Sequence, residues 1–328
     1  MANGLRSFAP LLLSMFVACS ATVTATKPAA VPVTDHHQHL FSPAVAAMLT
    51  TEAKPFRAIS GEELMAMLDA AGIQNATVLS VAYMYGSPSR HVPDEYAKVR
   101  AENDWTGAQA AQSKGRLRAF CSFNPLKPYA LDELARCAAD PNLHHGIKMH
   151  FGNSDVQLDN PEHVEQLKRV FRAANEHRMA IAVHMRASIS RKRPYGAAQA
   201  RIFLEQLLPL ASDIPVQIAH LAGSGPGYDD PPGDEAMNAL AEAVARRDPQ
   251  TRRLWFDVSG IARPDMPADQ FARMAARIRQ VGVERILYGS DAATAGNLAP
   301  REAWVALRML PLTEAEFARI PKNSATGR

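Results

Sequence analysis

The stretch TDHHQHLF at 34–41 sets three of the chain's 11 histidines beside an aspartate, at the start of an apolar segment. In an extended strand, side chains two apart share a face. His37 and His39 are therefore expected to point together, with Asp35 below them and His36 and Gln38 turned away. Four more apolar runs close on residues of the same kind: Lys148 and His150, then His184, then His220, then Asp291. A lone His on a strand is most often a core residue with satisfied nitrogens. Five segment ends offering His or Asp at equivalent positions point instead to a divalent-metal centre. Arg186 shares a face with His184 and, with Lys148, suits an anionic substrate. For Arg186, a solvated charge beside RKR at 191–193 is the competing reading.

The elements that must carry these residues are short apolar runs alternating with amphipathic segments. The runs cover 31–40, 75–83, 117–125, 145–151, 180–185, 215–223, 253–260 and 284–292, and most are rich in β-branched or aromatic residues. Between them, SGEELMAMLDAAG opens with Ser60 and Glu63 in capping-box spacing and closes on Gly72. Asn160 precedes Pro161 and Glu162 as a helix start. Further helices are expected over roughly 94–114, 130–139, 197–212, 234–247, 267–281 and 299–309. Eight strand–helix repeats predict a single-domain (β/α)8 TIM barrel spanning 31–328. A doubly wound open sheet is the alternative, but no Gly-rich fingerprint follows the first strand. In the barrel, the C-terminal strand ends form the catalytic rim, which is where the candidate residues fall. Asp257 and Ser259 end strand seven, open to either substrate contact or a structural role. The aromatics of YMYG at 83–86, in a rim loop reaching His91, are placed to shape the pocket.

The ordered set resembles the amidohydrolase superfamily of metal-dependent barrels. Its marks are DHHQH at 35–39, AVHM around His184, IAHLAG around His220 and YGSDA around Asp291. Lacking a flanking β-sandwich, and ending on KNSA at 322–325, the chain looks like the amidohydrolase-related branch of lactonases and decarboxylases. That resemblance implies that His37, His39, His184 and Asp291 hold one divalent ion, zinc in the first instance with manganese as the alternative. It further implies that Asp291 moves the proton of an activated water, and that His220 polarises the substrate carbonyl. Lys148 and His150 would meet substrate, with Lys148 either an unmodified cation or a carbamylated bridge between two ions. The implied activity is hydrolysis of a small carboxylate-bearing ester, lactone or amide. Non-oxidative decarboxylation, or a binding protein that has lost catalysis, are the alternatives.

The remaining features bound the setting. A net charge of +3 over 328 residues gives no basic surface for nucleic acid. Arg6 followed by FAPLLLSMFVA and Cys19 has the layout of a bacterial lipoprotein leader, 1–18, with a tether over 19–30. The expected location is therefore the periplasm, with membrane attachment only through a lipid on Cys19. Of the other two cysteines, Cys121 falls in a predicted strand and Cys137 in a predicted helix. Both are expected to be buried thiols rather than a disulfide or metal ligands. Nothing in the sequence sets the oligomeric state, and a homodimer is compatible with it.

Overall fold

The computed structural model describes residue 1 and residues 30–325. The leader and the lipid anchor expected at Cys19 lie outside the described residues. No helix among the described residues is long and apolar enough to cross a membrane.

Eight parallel strands pair in sequence order. They are β1 (Thr34–Gln38), β2 (Asn75–Leu79), β3 (Leu117–Ser122), β4 (Gly146–His150), β5 (Ala180–His184), β6 (Val216–Ile218), β7 (Leu254–Asp257) and β8 (Ile286–Leu287). At the seam, His36 N donates to Tyr288 O at 2.8 Å and Asp291 N to His37 O at 2.9 Å, joining β8 to β1. The strands thus form a (β/α)8 barrel. Its inner face holds Leu79, Phe120, Ala180 and Ala182 as a small cluster, while Ile181 and Val183 of β5 belong to the large core under the helices. The two-residue alternation of a strand accounts for that split.

The helices are α1 (Pro43–Leu49), α2 (Gly61–Ala71), α3 (Glu95–Ala111), α4 (Ala130–Ala139), α5 (Phe151–Ser154), α6 (Pro161–Glu176), α7 (Ala197–Ile202), α8 (Pro231–Ala245), α9 (Ala268–Val281), α10 (Pro300–Leu307) and α11 (Glu314–Phe317). The capping box of α2 is present in both directions, and Gly72 closes it at φ 73°. Asn160 caps α6 by accepting from Glu162 N at 2.9 Å. The helix expected over 197–212 is not continuous. After Ile202 the ladder widens, so that Leu208 N donates to Phe203 O, and a 3-10 turn covers Leu208–Ala211. Pro209 has no N–H to continue an α ladder, and its ring crowds the preceding turn.

Two expectations are corrected. Cys121 and Cys137 are not free thiols: a disulfide joins them across a Cα–Cα distance of 6.2 Å and staples β3 to α4. The sequence places them 16 residues apart, and the return of α4 over β3 is what brings them together. The second correction concerns β1, where Thr34 and Asp35 pair with Asn75 and Ala76 but Gln38 already pairs with Val78. One extra residue in β1 makes a bulge and breaks strict alternation. Asp35 consequently leaves the histidine face and accepts from Gln38 Nε2 at 2.8 Å and Ser290 Oγ at 2.7 Å. His36 turns towards the barrel base, its Nε2 3.1 Å from Asn323 O, in a small cavity with Phe120 and Gln217.

Candidate metal centre

His37 and His39 do face the same way, their ring centroids 5.2 Å apart. One ligand atom from each of His37, His39 and Asp291 lies within 4.8 Å of the others, all three residues being buried. Each imidazole is held through its other nitrogen. His37 Nδ1 donates to Asp257 Oδ2 at 2.9 Å, and His39 Nδ1 donates to the Leu79 carbonyl at 2.5 Å. Those bonds fix the tautomers and leave both Nε2 lone pairs directed into the site.

Asp257 does more than its end-of-strand position suggested. Besides His37, it accepts from Gln217 Nε2 at 2.7 Å, His220 N at 3.0 Å and Ser259 Oγ at 2.6 Å. Burial works to raise its carboxyl, yet contact with His37 and the His220 N–H hold it well below the usual carboxylate range. The readable signal was its place at the end of strand seven. Gly289 on the turn after β8 carried no such signal. A Cβ there would stand 2.7 Å from His37 Cβ, so only glycine lets the His37 ring take its place.

Asp291 sits at φ 53°, in the left-handed region. Its Oδ1 accepts from Thr294 Oγ1 at 2.7 Å and its Oδ2 from Asn297 Nδ2 at 2.9 Å, and Oδ1 stands 3.7 Å from His39 Nε2. Burial pushes its carboxyl up to about 7. His220, Leu221 and Ala222 follow one another at φ 54°, 45° and 63°. Three non-glycine residues in that region are costly, and together they turn the His220 ring into the barrel mouth. His220 Nδ1 donates to Ser259 O at 2.7 Å, which leaves its Nε2 as an acceptor.

His184 and His150, partners in the β4–β5 register, stack with centroids 3.9 Å apart. His184 lies 5.0 Å from the His220 ring, outside the tight group of His37, His39 and Asp291. Lys148 is 1% exposed, and its Nζ approaches His37 Nε2 at 3.4 Å. Among the described residues no carboxylate pairs with Lys148, and burial brings its pKa down to about 8. Arg186 is engaged already. Asp230 takes its Nε at 2.7 Å and its Nη2 at 3.1 Å, and the Tyr195 ring lies 4.9 Å from its guanidinium carbon.

These donors suit a divalent ion. Burial lowers His37 to about 3 and takes His39 and His184 well below their usual range, so all three imidazoles are neutral and can give a lone pair. Two such nitrogens and a carboxylate match a borderline cation such as zinc. A cavity of about 290 Å³ opens above them, lined by Phe41, Phe56, Val81 and Met84 on one side.

Solved structures share the barrel fold. The 5-carboxyvanillate decarboxylase of Sphingomonas paucimobilis superposes with a TM-score of 0.60 at 16% identity, covering 89% of this chain and 97% of its own. A probable 2-pyrone-4,6-dicarboxylic acid hydrolase of Acinetobacter baumannii, with citric acid bound, gives 0.57 at 17% identity, covering 88% and 96%. An amidohydrolase of Burkholderia multivorans with bound zinc gives 0.58 at 13% identity, covering 89% and 96%. No curated protein sequence matches the chain. Identities this low carry the fold and not the reaction. The sequence itself is more specific: the model of the amidohydrolase family matches residues 34–326, the whole barrel from the first residue of β1 to the base. A match of that extent, over a barrel whose strand ends gather these histidines and Asp291, makes the chain a member of the amidohydrolase family.

Proposed function

We propose that the protein is a metal-dependent hydrolase of a small carboxylate-bearing ester, lactone or amide. The observation that carries this reading is the convergence of His37 Nε2, His39 Nε2 and Asp291, with both imidazoles locked by acceptors at Nδ1. These three would hold one divalent ion, zinc first, with His184 as the fourth donor in this reading. Such an ion supplies Lewis acidity and brings the acidity of water into the neutral range. Asp291, the carboxylate of this group, would accept the proton of the attacking water and return it to the leaving group. His220, its Nδ1–H spent on Ser259, is neutral and accepts at Nε2, so it orients that water. Polarising a carbonyl from His220 would need the cationic ring, which burial disfavours. Lys148, an unmodified ammonium in this reading, balances negative charge that develops beside His37. His150 and its stacked partner His184 form a wall for substrate.

Export fits this reading. The Cys121–Cys137 disulfide suits an oxidising compartment such as the periplasm.

One experiment separates the chemistries: metal-loaded protein is given a panel of lactones, esters, amides and aromatic carboxylic acids, and proton and CO2 release are followed together. Hydrolysis without CO2 is the expected outcome. CO2 from an aromatic acid with no ester or lactone cleaved would replace hydrolysis by decarboxylation, for which the apolar wall at Phe41 and Phe56 is suited.

A further inference from the structure

We propose that Tyr83 and Arg90, both from the loop that follows β2, receive the carboxylate of the substrate. The proposal rests on the preceding reading for the identity of the site and adds where the anion goes. Arg186, the cation nearest His184 in sequence, has its fork occupied by Asp230 and one face covered by Tyr195. A guanidinium so engaged has little left for a second carboxylate.

Arg90 differs on each point. It lines a cleft of about 440 Å³ that adjoins the metal cavity, the two sharing His150, Asn153, His184 and Ser224. Arg90 is half-buried and, among the described residues, pairs with no carboxylate. The groups around it in the cleft include the hydroxyls of Ser87 and Ser89, which add no negative charge.

Tyr83 supplies an independent observation. It is 3% exposed, its ring lies 5.0 Å from His150, and it lines the metal cavity. Its hydroxyl makes no hydrogen bond to any described residue. A phenol that opens onto the cavity without a protein partner is a donor left free to meet a ligand there. Burial and the Asp291 charge raise its pKa, so it remains a protonated donor, while the charge of Arg90 reaches it from the opposite sense. A planar carboxylate offers two oxygens, one for a guanidinium and one for a phenol. The ligand class is then an amphipathic monocarboxylate. Its anionic end enters the Arg90 cleft, its reactive group lies over the histidines, and its apolar end rests on Phe41, Phe56, Val81 and Met84.

Isothermal titration of the metal-loaded protein with 3-phenylpropionate and with its neutral amide tests this. Wild type should bind the carboxylate about 10- to 100-fold more tightly than the amide, as expected for a charge-assisted pair. Arg90→Gln should remove most of that preference, and Tyr83→Phe should reduce it about 3- to 10-fold. A wild type without the preference, or variants that keep it in full, would overturn the proposal by placing the carboxylate elsewhere, the metal included. The readout is binding, so a protein that shows the preference yet hydrolyses nothing refutes the hydrolase reading alone.

Discussion

Asp257 holds His37 in the tautomer whose Nε2 faces the cavity, and this gives it an effect measurable without any substrate. Asparagine at 257 could present its NH2 to His37 Nδ1 and so favour the wrong tautomer. We expect Asp257→Asn to weaken zinc affinity about 10- to 100-fold, read by chelator competition, with the barrel still folded. Unchanged affinity would remove Asp257 from the metal centre. Asp291 has two tasks, ligand and proton carrier, and an amide retains only part of the first. Asp291→Asn should keep much of its metal while turnover falls by roughly 10²- to 10⁴-fold. Near-wild-type turnover would defeat its role as base. At this scale the candidate ligands were legible because a strand's two-residue period groups His37 with His39. Asp257 was visible only as an ambiguous carboxylate, since its partners come from β1, β6 and its own turn. Gly289 was invisible, because its meaning is the proximity of a side chain on another strand.

Among the elements, α3 carries a titratable group whose sign can be worked out. Glu102 is buried against the start of α1, where Ser42 hydroxyl donates to it, and burial lifts its carboxyl from 4.5 to about 7. The folded state therefore binds this proton more tightly than the unfolded chain. Its contribution to stability is present in full below about pH 4.5 and is lost as pH rises through about 7. Glu102→Gln should flatten that part of the pH–stability profile, by on the order of 3 kcal/mol at most. Denaturant melts across the interval check it, and an unaltered slope would contradict it. Most of the helices and all eight strands could be anticipated from periodicity and caps, as α2 and α6 illustrate. What escaped depended on tertiary geometry: the bulge that diverts Asp35, and the disulfide that only the return of α4 over β3 allows. Pro209 is the sequence feature that interrupts the helical pattern over 197–212, since its ring and missing N–H end the α ladder there.

Over the whole molecule, the barrel closes through the β8–β1 seam, and Asn323 ties its base by donating to Val283 O and Ile286 O, each at 2.7 Å. The same closure brings Asp291 on the β8 side to His39 on the β1 side. Fold and metal group are thus one construction, which is why an ordered set of strand-end residues could announce both. The rim loops follow no such rule: the sequence around Arg90 does not set it apart from an exposed arginine, and only the Arg186–Asp230 pair distinguishes the two. Beyond the barrel, attachment through Cys19 predicts that labelled fatty acid enters wild type and not Cys19→Ala; equal labelling would exclude lipidation. The central claim, that His37, His39 and Asp291 hold the ion on which turnover depends, has a direct measurement. Metal content and turnover are determined on the purified protein, after chelation, after zinc is restored, and in His39→Ala. Activity should vanish with the metal, return with zinc, and be absent together with metal in a still-folded His39→Ala. Full turnover by the metal-free protein, or undiminished metal in His39→Ala, would contradict the account.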